Sequence, residues 1–414
     1  MRFLYGSCSE TEVSEQLYYN IGRIMYMKRF FVFFIGLLLI IVTACKTGEI
    51  KNQEITNERE SPLKDLYKDD FLIGNIINTT YMSGKYFELL TTHYNTVTCE
   101  NAMKPDSLAP GSKPANANWQ YNFATADSMV DKMLENGIQV HGHTLVWHRQ
   151  TPSWMTTGTK EEVQANLEKY IKDVIKHFEG RVVSWDVVNE GIRGDFASSE
   201  PAPTGWKGEY LRRDSPWYIA LGDDYIEIAF RAAREAAGPD VKLYYNDYGM
   251  HVRNKGIAVY NMIKDINARY AAQNNGKKLI DGMGMQGHWG LYIPDETRIS
   301  GITYFDNVKF ALENFISLGI IVDISELDVI AGNDEEGTGR NSVMSDSDAQ
   351  KQAEVYAILF NLFLENKEHI GRVTMWGIDD RNSWKSRGNP CLFDGDLNPK
   401  KAFYAVCNPG LFLL

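Results

Sequence analysis

From Leu63 onward the chain alternates short, β-branched apolar runs with longer segments of amphipathic period, and this alternation constrains the fold more than any other feature. The apolar runs begin near Phe71-Leu72-Ile73-Gly74, Thr96-Val97-Thr98, Ile138 to His141 and Val182 to Asn189. They continue near Val241 to Tyr245, Gly282 to His288, Ile320 to Glu326 and Val373 to Trp376. Such runs read as strands buried on both faces, the habit of parallel sheets. Between them, Ala124–Asn136, Glu161–Phe178, Ile226–Ala237, Val308–Ser317 and Asp348–Leu364 repeat apolar residues at helical spacing. Eight such units predict an α/β chain with one (β/α)8 barrel, a TIM barrel, over residues 63–414 rather than two domains.

A barrel of parallel strands sends all its C-terminal strand ends to one face, so residues far apart in sequence can flank one substrate there. Strand four ends in Asn189-Glu190, and strand seven in Ser325-Glu326-Leu327-Asp328. Taken singly, each Glu reads equally well as a structural carboxylate paired with Lys or Arg. The company they keep argues otherwise. Strand two ends in Glu100-Asn101-Ala102-Met103-Lys104, and strand three runs from His141-Gly142-His143 to Trp147-His148-Arg149-Gln150. Strand five ends in Tyr245-Asn246-Asp247-Tyr248, strand six in Gln286-Gly287-His288-Trp289, and strand eight supplies Trp376 and Trp384. Carboxylates, amides, imidazoles and indoles thus gather at one end. Nine Trp and 12% aromatics suit a cleft whose rings stack on sugar faces.

These motifs jointly resemble glycoside hydrolase family 10, the retaining endo-β-1,4-xylanases, from about Leu63 to Leu411. The resemblance implies that Glu190 is the acid/base and Glu326 the nucleophile of a double displacement on xylan. Asn189 would hold the 2-hydroxyl of the sugar being cleaved, and His288 would orient Glu326. His143, Gln286, Trp376 and Trp384 would surround that sugar. Glu100, Asn101, Lys104, Trp147 and Gln150 would form the adjoining glycone-side wall, and Tyr245 is expected among the sugar contacts. Glycoside cleavage needs one carboxyl that still holds a proton near neutrality and one ionised carboxylate opposite it, about 5 Å away in retaining enzymes. The chain departs from the family pattern at Pro105, His141 and Ser325, and by an insertion, Phe196 to Leu211, that carries Trp206 and Tyr210. Leaving the strand that bears Glu190, that loop either contacts aglycone sugars or covers the barrel rim. Alternatives in function are another retaining β-1,4-glycanase acting on glucan, and a sugar-binding lipoprotein without catalysis; retention of both Glu speaks against the latter.

Two rival motifs carry less. Gly282-Met283-Gly284-Met285-Gln286-Gly287 spells a dinucleotide fingerprint, yet no helix pattern opens after it, so no cofactor is expected. His141 and His143 alternate on one strand as metal ligands can, but lack a matching carboxylate or Lys set, so no metal is expected. A formal net charge of −11 argues against nucleic acid or an anionic membrane surface as partner; a monomer is expected, with xylan and xylo-oligosaccharides as ligands.

The N-terminus reads as an address. Met27-Lys28-Arg29 and the apolar run Phe30 to Val42 form a secretory signal too short to span a membrane. It ends in Val42-Thr43-Ala44-Cys45, which looks like a bacterial lipobox, so Cys45 is expected to carry lipid and residues 46–62 to be a tether. Residues 1–26 then read as a misassigned upstream start. Export and anchoring to a bacterial membrane follow, with simple secretion as the alternative. Of the remaining cysteines, Cys99, Cys391 and Cys407 form no framework, though Cys391 and Cys407 are a possible pair.

Overall fold

The computed structural model describes residues 61–197, 199–291, 304–331 and 344–412. The upstream start, the signal segment, Cys45 and the tether as far as residue 60 lie outside the described residues.

Eight parallel strands close into a barrel: β1 Leu72–Ile77, β2 Thr96–Cys99, β3 Gln139–Val146, β4 Ser184–Asn189, β5 Lys242–Asp247, β6 Gly282–Met285, β7 Ile321–Ile330 and β8 Ile370–Met375. Each pairs with its neighbours in sequence, and β1 pairs with β8, Leu72 opposite Arg372 and Asn75 opposite Met375, which shuts the sheet. The strands fall where the apolar runs predict, with one difference. Strand six stops at Met285 and resumes as His288–Gly290 against Asp328–Ile330 of β7. Gly287 takes a φ of +83° at the break, a conformation open to glycine at little cost.

The five expected helices are present at Ala124–Glu135, Lys160–His177, Tyr225–Ala236, Tyr304–Ser317 and Asp346–Glu365. Lys160–His177 shows why the sequence folds so locally. Thr159 and Glu162 form a reciprocal capping box at its start, Lys176 and His177 face the negative end of its dipole, and Val163, Leu167, Tyr170, Ile171 and Val174 make the buried stripe. The long helix Arg253–Gln273 was not among those expected, because it turns Lys255 and Asn267 inward and blurs the stripe. Both are satisfied: Lys255 Nζ donates to Asp247 Oδ1 at 2.7 Å, and Asn267 Oδ1 accepts from the Ile280 N–H at 2.8 Å.

The barrel interior carries paired charge below the mouth. Arg372 Nε lies 3.0 Å from Asp323 Oδ2, and His141 sits between Ser184 Oγ (2.7 Å) and Asp186 Oδ2 (3.0 Å). Burial pushes Asp323 up to about 6 and His141 down to about 4. His141 is therefore a neutral core residue beneath the site. Cys391 is buried with a free thiol, so no bond joins it to Cys407.

Candidate active site

The C-terminal strand ends enclose a cleft of about 560 Å³. Glu100, Asn101, Lys104, His143, Trp147, Gln150, Asn189, Glu190, Gln286, His288, Glu326, Trp376 and Trp384 all line it. One expected residue, Tyr245, is not among the lining side chains. Tyr245 is fully buried behind the cleft. Its hydroxyl accepts from the backbone N–H groups of Gly191 and Ile192, both at 2.9 Å, and donates to Asp247 Oδ2 at 2.6 Å. Tyr245 therefore holds the segment leaving Glu190 and does not face sugar.

Glu326 has a donor on each oxygen. Asn246 Nδ2 reaches Oε1 at 2.8 Å and His288 Nε2 reaches Oε2 at 3.1 Å. The other ring nitrogen of His288 lies 3.0 Å from Asp328 Oδ2. Burial disfavours the charged ring, but the two carboxylates outweigh it and raise the His288 pKa to about 10. At neutral pH it is an imidazolium clamped between them. Trp384, although 52% exposed, is anchored to the same Asp328 oxygen through Nε1 at 2.9 Å.

Amides connect the two carboxylates. Ser325 Oγ donates to Asn246 Oδ1 at 2.6 Å, which leaves Asn246 Nδ2 to serve Asn189 Oδ1 (3.0 Å) as well as Glu326. Gln286 Nε2 donates to Asn189 Oδ1 and to Glu190 Oε1, both at 3.1 Å. Two donors thus orient the Asn189 amide and turn its Nδ2 toward Glu190 Oε1, 3.5 Å away. This network explains Gly284 without a cofactor: a Cβ there would stand 2.3 Å from Asn246 Oδ1.

Glu190 itself sits in the left-handed region, φ +57°, which a non-glycine residue holds only under constraint. Its N–H donates to the Asn246 carbonyl at 2.9 Å, and its carbonyl accepts from Arg212 Nε at 2.9 Å. Burial pushes its carboxyl up, but hydrogen bonds from Gln286 and Trp147 outweigh this and hold it below the ordinary glutamate value. The sugar-free site therefore keeps Glu190 ionised, contrary to the expectation of a proton held near neutrality. His148, 3.8 Å from Glu190 Oε2, is pushed down to about 4 by burial and by Arg212, so it is neutral at pH 7.

On the glycone wall, Lys104 Nζ donates to Asn101 Oδ1 at 2.9 Å and lies 4.9 Å from the Trp147 ring centre. Pro105 begins a short helix, Pro105–Leu108, at the position where a missing N–H costs nothing. His143 Nδ1 meets Asp186 Oδ2 at 2.8 Å, which commits one nitrogen and orients the ring. Burial opposes the Asp186 charge, but the two imidazoles hold its carboxyl well below the usual range.

The insertion covers the rim. Trp206 is only 4% exposed and donates from Nε1 to Asp265 Oδ2 at 2.9 Å, on the helix Arg253–Gln273. Leu211 bridges antiparallel to Ile192, which delivers Arg212 to the cleft. Arg212, Asn246, Asp186 and Asp328 are the functional positions that sequence reasoning missed. Asp328 had a signal: two residues after Glu326 on one strand, it shares that residue's face.

A parallel barrel whose fourth and seventh strands each place a glutamate in one aromatic-walled cleft defines a barrel glycosidase. Residues 62–409 match the profile of glycosyl hydrolase family 10, and the chain belongs to that family. It is 36% identical over 381 residues to a β-1,4-xylanase of Dictyoglomus thermophilum, covering 90% of this chain and 98% of the relative. An endo-1,4-β-xylanase A of Thermotoga maritima is 37% identical over 379 residues, covering 88% of this chain but 32% of that longer protein. The crystal structure of a family 10 xylanase from termite gut, which also contains a bacterial Ig-like domain, superposes with a TM-score of 0.76 at 34% identity, covering 85% of this chain and 78% of that one.

Proposed function

We propose that the protein is an endo-1,4-β-xylanase that cleaves internal xylosidic bonds with retention, through a covalent glycosyl-enzyme. The observation that carries this reading is the pair Glu190 and Glu326 in one cleft, tied together by Asn189, Asn246 and Gln286. Glu326, with His288 and Asn246 aligning its oxygens, attacks the anomeric carbon. Glu190 protonates the leaving oxygen and later takes the proton of the attacking water. For the first role it must gain a proton, and bound sugar supplies the reason: covering the carboxyl removes its remaining water, which favours the neutral form. Asn189 holds the 2-hydroxyl, whose contacts strengthen as positive charge grows on the ring. His143, Gln286, Trp376 and Trp384 enclose the cleaved sugar, and Glu100, Asn101, Lys104, Trp147 and Gln150 hold the one before it.

The test divides the labour. Glu326→Ala should abolish turnover of every substrate. Glu190→Ala should lose about 10² to 10⁴ in rate on xylan, the worth of general acid catalysis, yet still react with an activated aryl glycoside. Azide should restore that variant and give a β-glycosyl azide; an α product would reverse or remove the assigned roles.

The same reading extends to placement. The signal-like segment and the lipobox ending in Cys45 support export and lipid anchoring to a bacterial membrane. Among the described residues no helix is long and apolar enough to cross a membrane.

A further inference from the structure

The cleft holds more positive charge than its chemistry uses. Lys104, Arg149, Arg212 and Lys385 all line it. Lys104 is bonded to Asn101 and lies in the field of Glu326 and Glu100. Arg212 is committed to the Glu190 carbonyl and the Tyr248 hydroxyl. The other two have no such use. Arg149 is exposed, and Lys385 contacts the Trp384 ring, 4.5 Å from its centre; neither has a carboxylate within ion-pair distance among the described residues. Acidic residues outnumber basic ones 54 to 43 in this chain, so two cations without carboxylates at the cleft are a local reversal of its charge. They come from different loops, after β3 and after β8, each next to a wall residue, Gln150 or Trp384. A plain β-1,4-xylan is neutral: it offers them hydroxyl oxygens but no counter-charge.

We propose that Arg149 and Lys385 form a binding site for the carboxylate of uronic acid side chains on xylan, making glucuronic-acid-substituted xylan the preferred polymer. This rests on the xylanase reading above. Because Arg149 is exposed and Lys385 only half-buried, each contact resembles a surface ion pair, and removing one should cost about two- to fivefold in kcat/KM on the charged polymer. Added salt should erode the preference by screening it.

The experiment compares three polymers on the full chain: unsubstituted xylan, glucuronic-acid-substituted xylan, and the latter after its carboxyls are reduced to hydroxymethyl groups. Reduction removes the charge and keeps the bulk. Arg149→Gln and Lys385→Met are tested singly and together; the methionine retains an apolar stem to lie on Trp384. Native protein should favour the charged polymer over its reduced form, each variant should lose about two- to fivefold of that preference, and the double variant should lose it altogether, with rates on unsubstituted xylan unchanged. Equal rates on charged and reduced polymers in the native protein, or a preference that survives in the double variant, would overturn the proposal alone. Failure to cleave unsubstituted xylan would overturn the xylanase reading and this proposal with it.

Discussion

Tyr245→Phe removes one oxygen and tests how the acid/base is held in place. That oxygen has three buried partners, the N–H groups of Gly191 and Ile192 and the carboxylate of Asp247. A buried donor left without a partner costs about 1–3 kcal/mol, and a hydrogen bond to a charged group contributes about 1.5–3 kcal/mol. Because the three share one atom and the segment can relax, the total should be nearer 3–5 kcal/mol than the sum. With unfolding entropies near 2.1 cal/mol/K per residue, a barrel of roughly 350 residues should lose about 4–7 °C of Tm. The functional effect is separate. Gly191 follows Glu190, whose left-handed backbone depends on its neighbours being held, and a shift of about 1 Å can cost roughly 10²-fold in rate. The loss should fall on substrates whose leaving group needs a proton. We expect kcat/KM on xylan to drop about 10- to 100-fold, and hydrolysis of an aryl glycoside with an activated leaving group to change less than about threefold. Thermal melts and the ratio of the two activities read both effects. An unchanged ratio with a lowered Tm would make Tyr245 a stabilising residue only, and no change in either would refute the reasoning.

Trp206→Ala should destabilise by about 3–5 kcal/mol, since it empties a buried site and removes one of the donors to Asp265, which keeps Arg269, while the ratio of rates on long and short oligosaccharides stays constant; a selective loss on long substrates would restore a sugar-stacking role. His288 predicts an alkaline limit. Its folded pKa is raised to about 10, so its contribution to stability is fully present below its ordinary value near 6.5 and is lost as pH rises through about 10. Tm measured against pH should fall more steeply across that window in the native protein than in His288→Asn, and parallel curves would remove the imidazolium from the account. Cys45→Ser should release the protein from the membrane fraction without lowering activity per molecule, and continued sedimentation with membranes would end the lipid assignment.

The apolar runs and the residues at their ends carried most of the fold and of the cleft in sequence alone. A (β/α)8 barrel needs strands buried on both faces, so their runs stand out against the helical period, and a carboxylate closing such a run is conspicuous at Glu190 and Glu326. The same burial hid which way Tyr245 points. A strand that is apolar on both faces shows no alternation, so Tyr244 and Tyr245 look equally able to face the mouth, and only packing against Gly191, Ile192 and Asp247 assigns the latter to the support. Trp206 was ambiguous for a related reason: it lies in a polar loop, and what buries it is a helix 47 or more residues later in the chain, Arg253–Gln273, whose own stripe is interrupted by buried Lys255 and Asn267. The charge state of Glu190 was beyond local sequence altogether, because it is the balance of burial against donors from Gln286 and Trp147, brought together from three different strand ends. Composition and period determine which segments end at the mouth of this barrel; packing and closure of the sheet decide which of their side chains reach it and touch, and therefore which can exchange a proton.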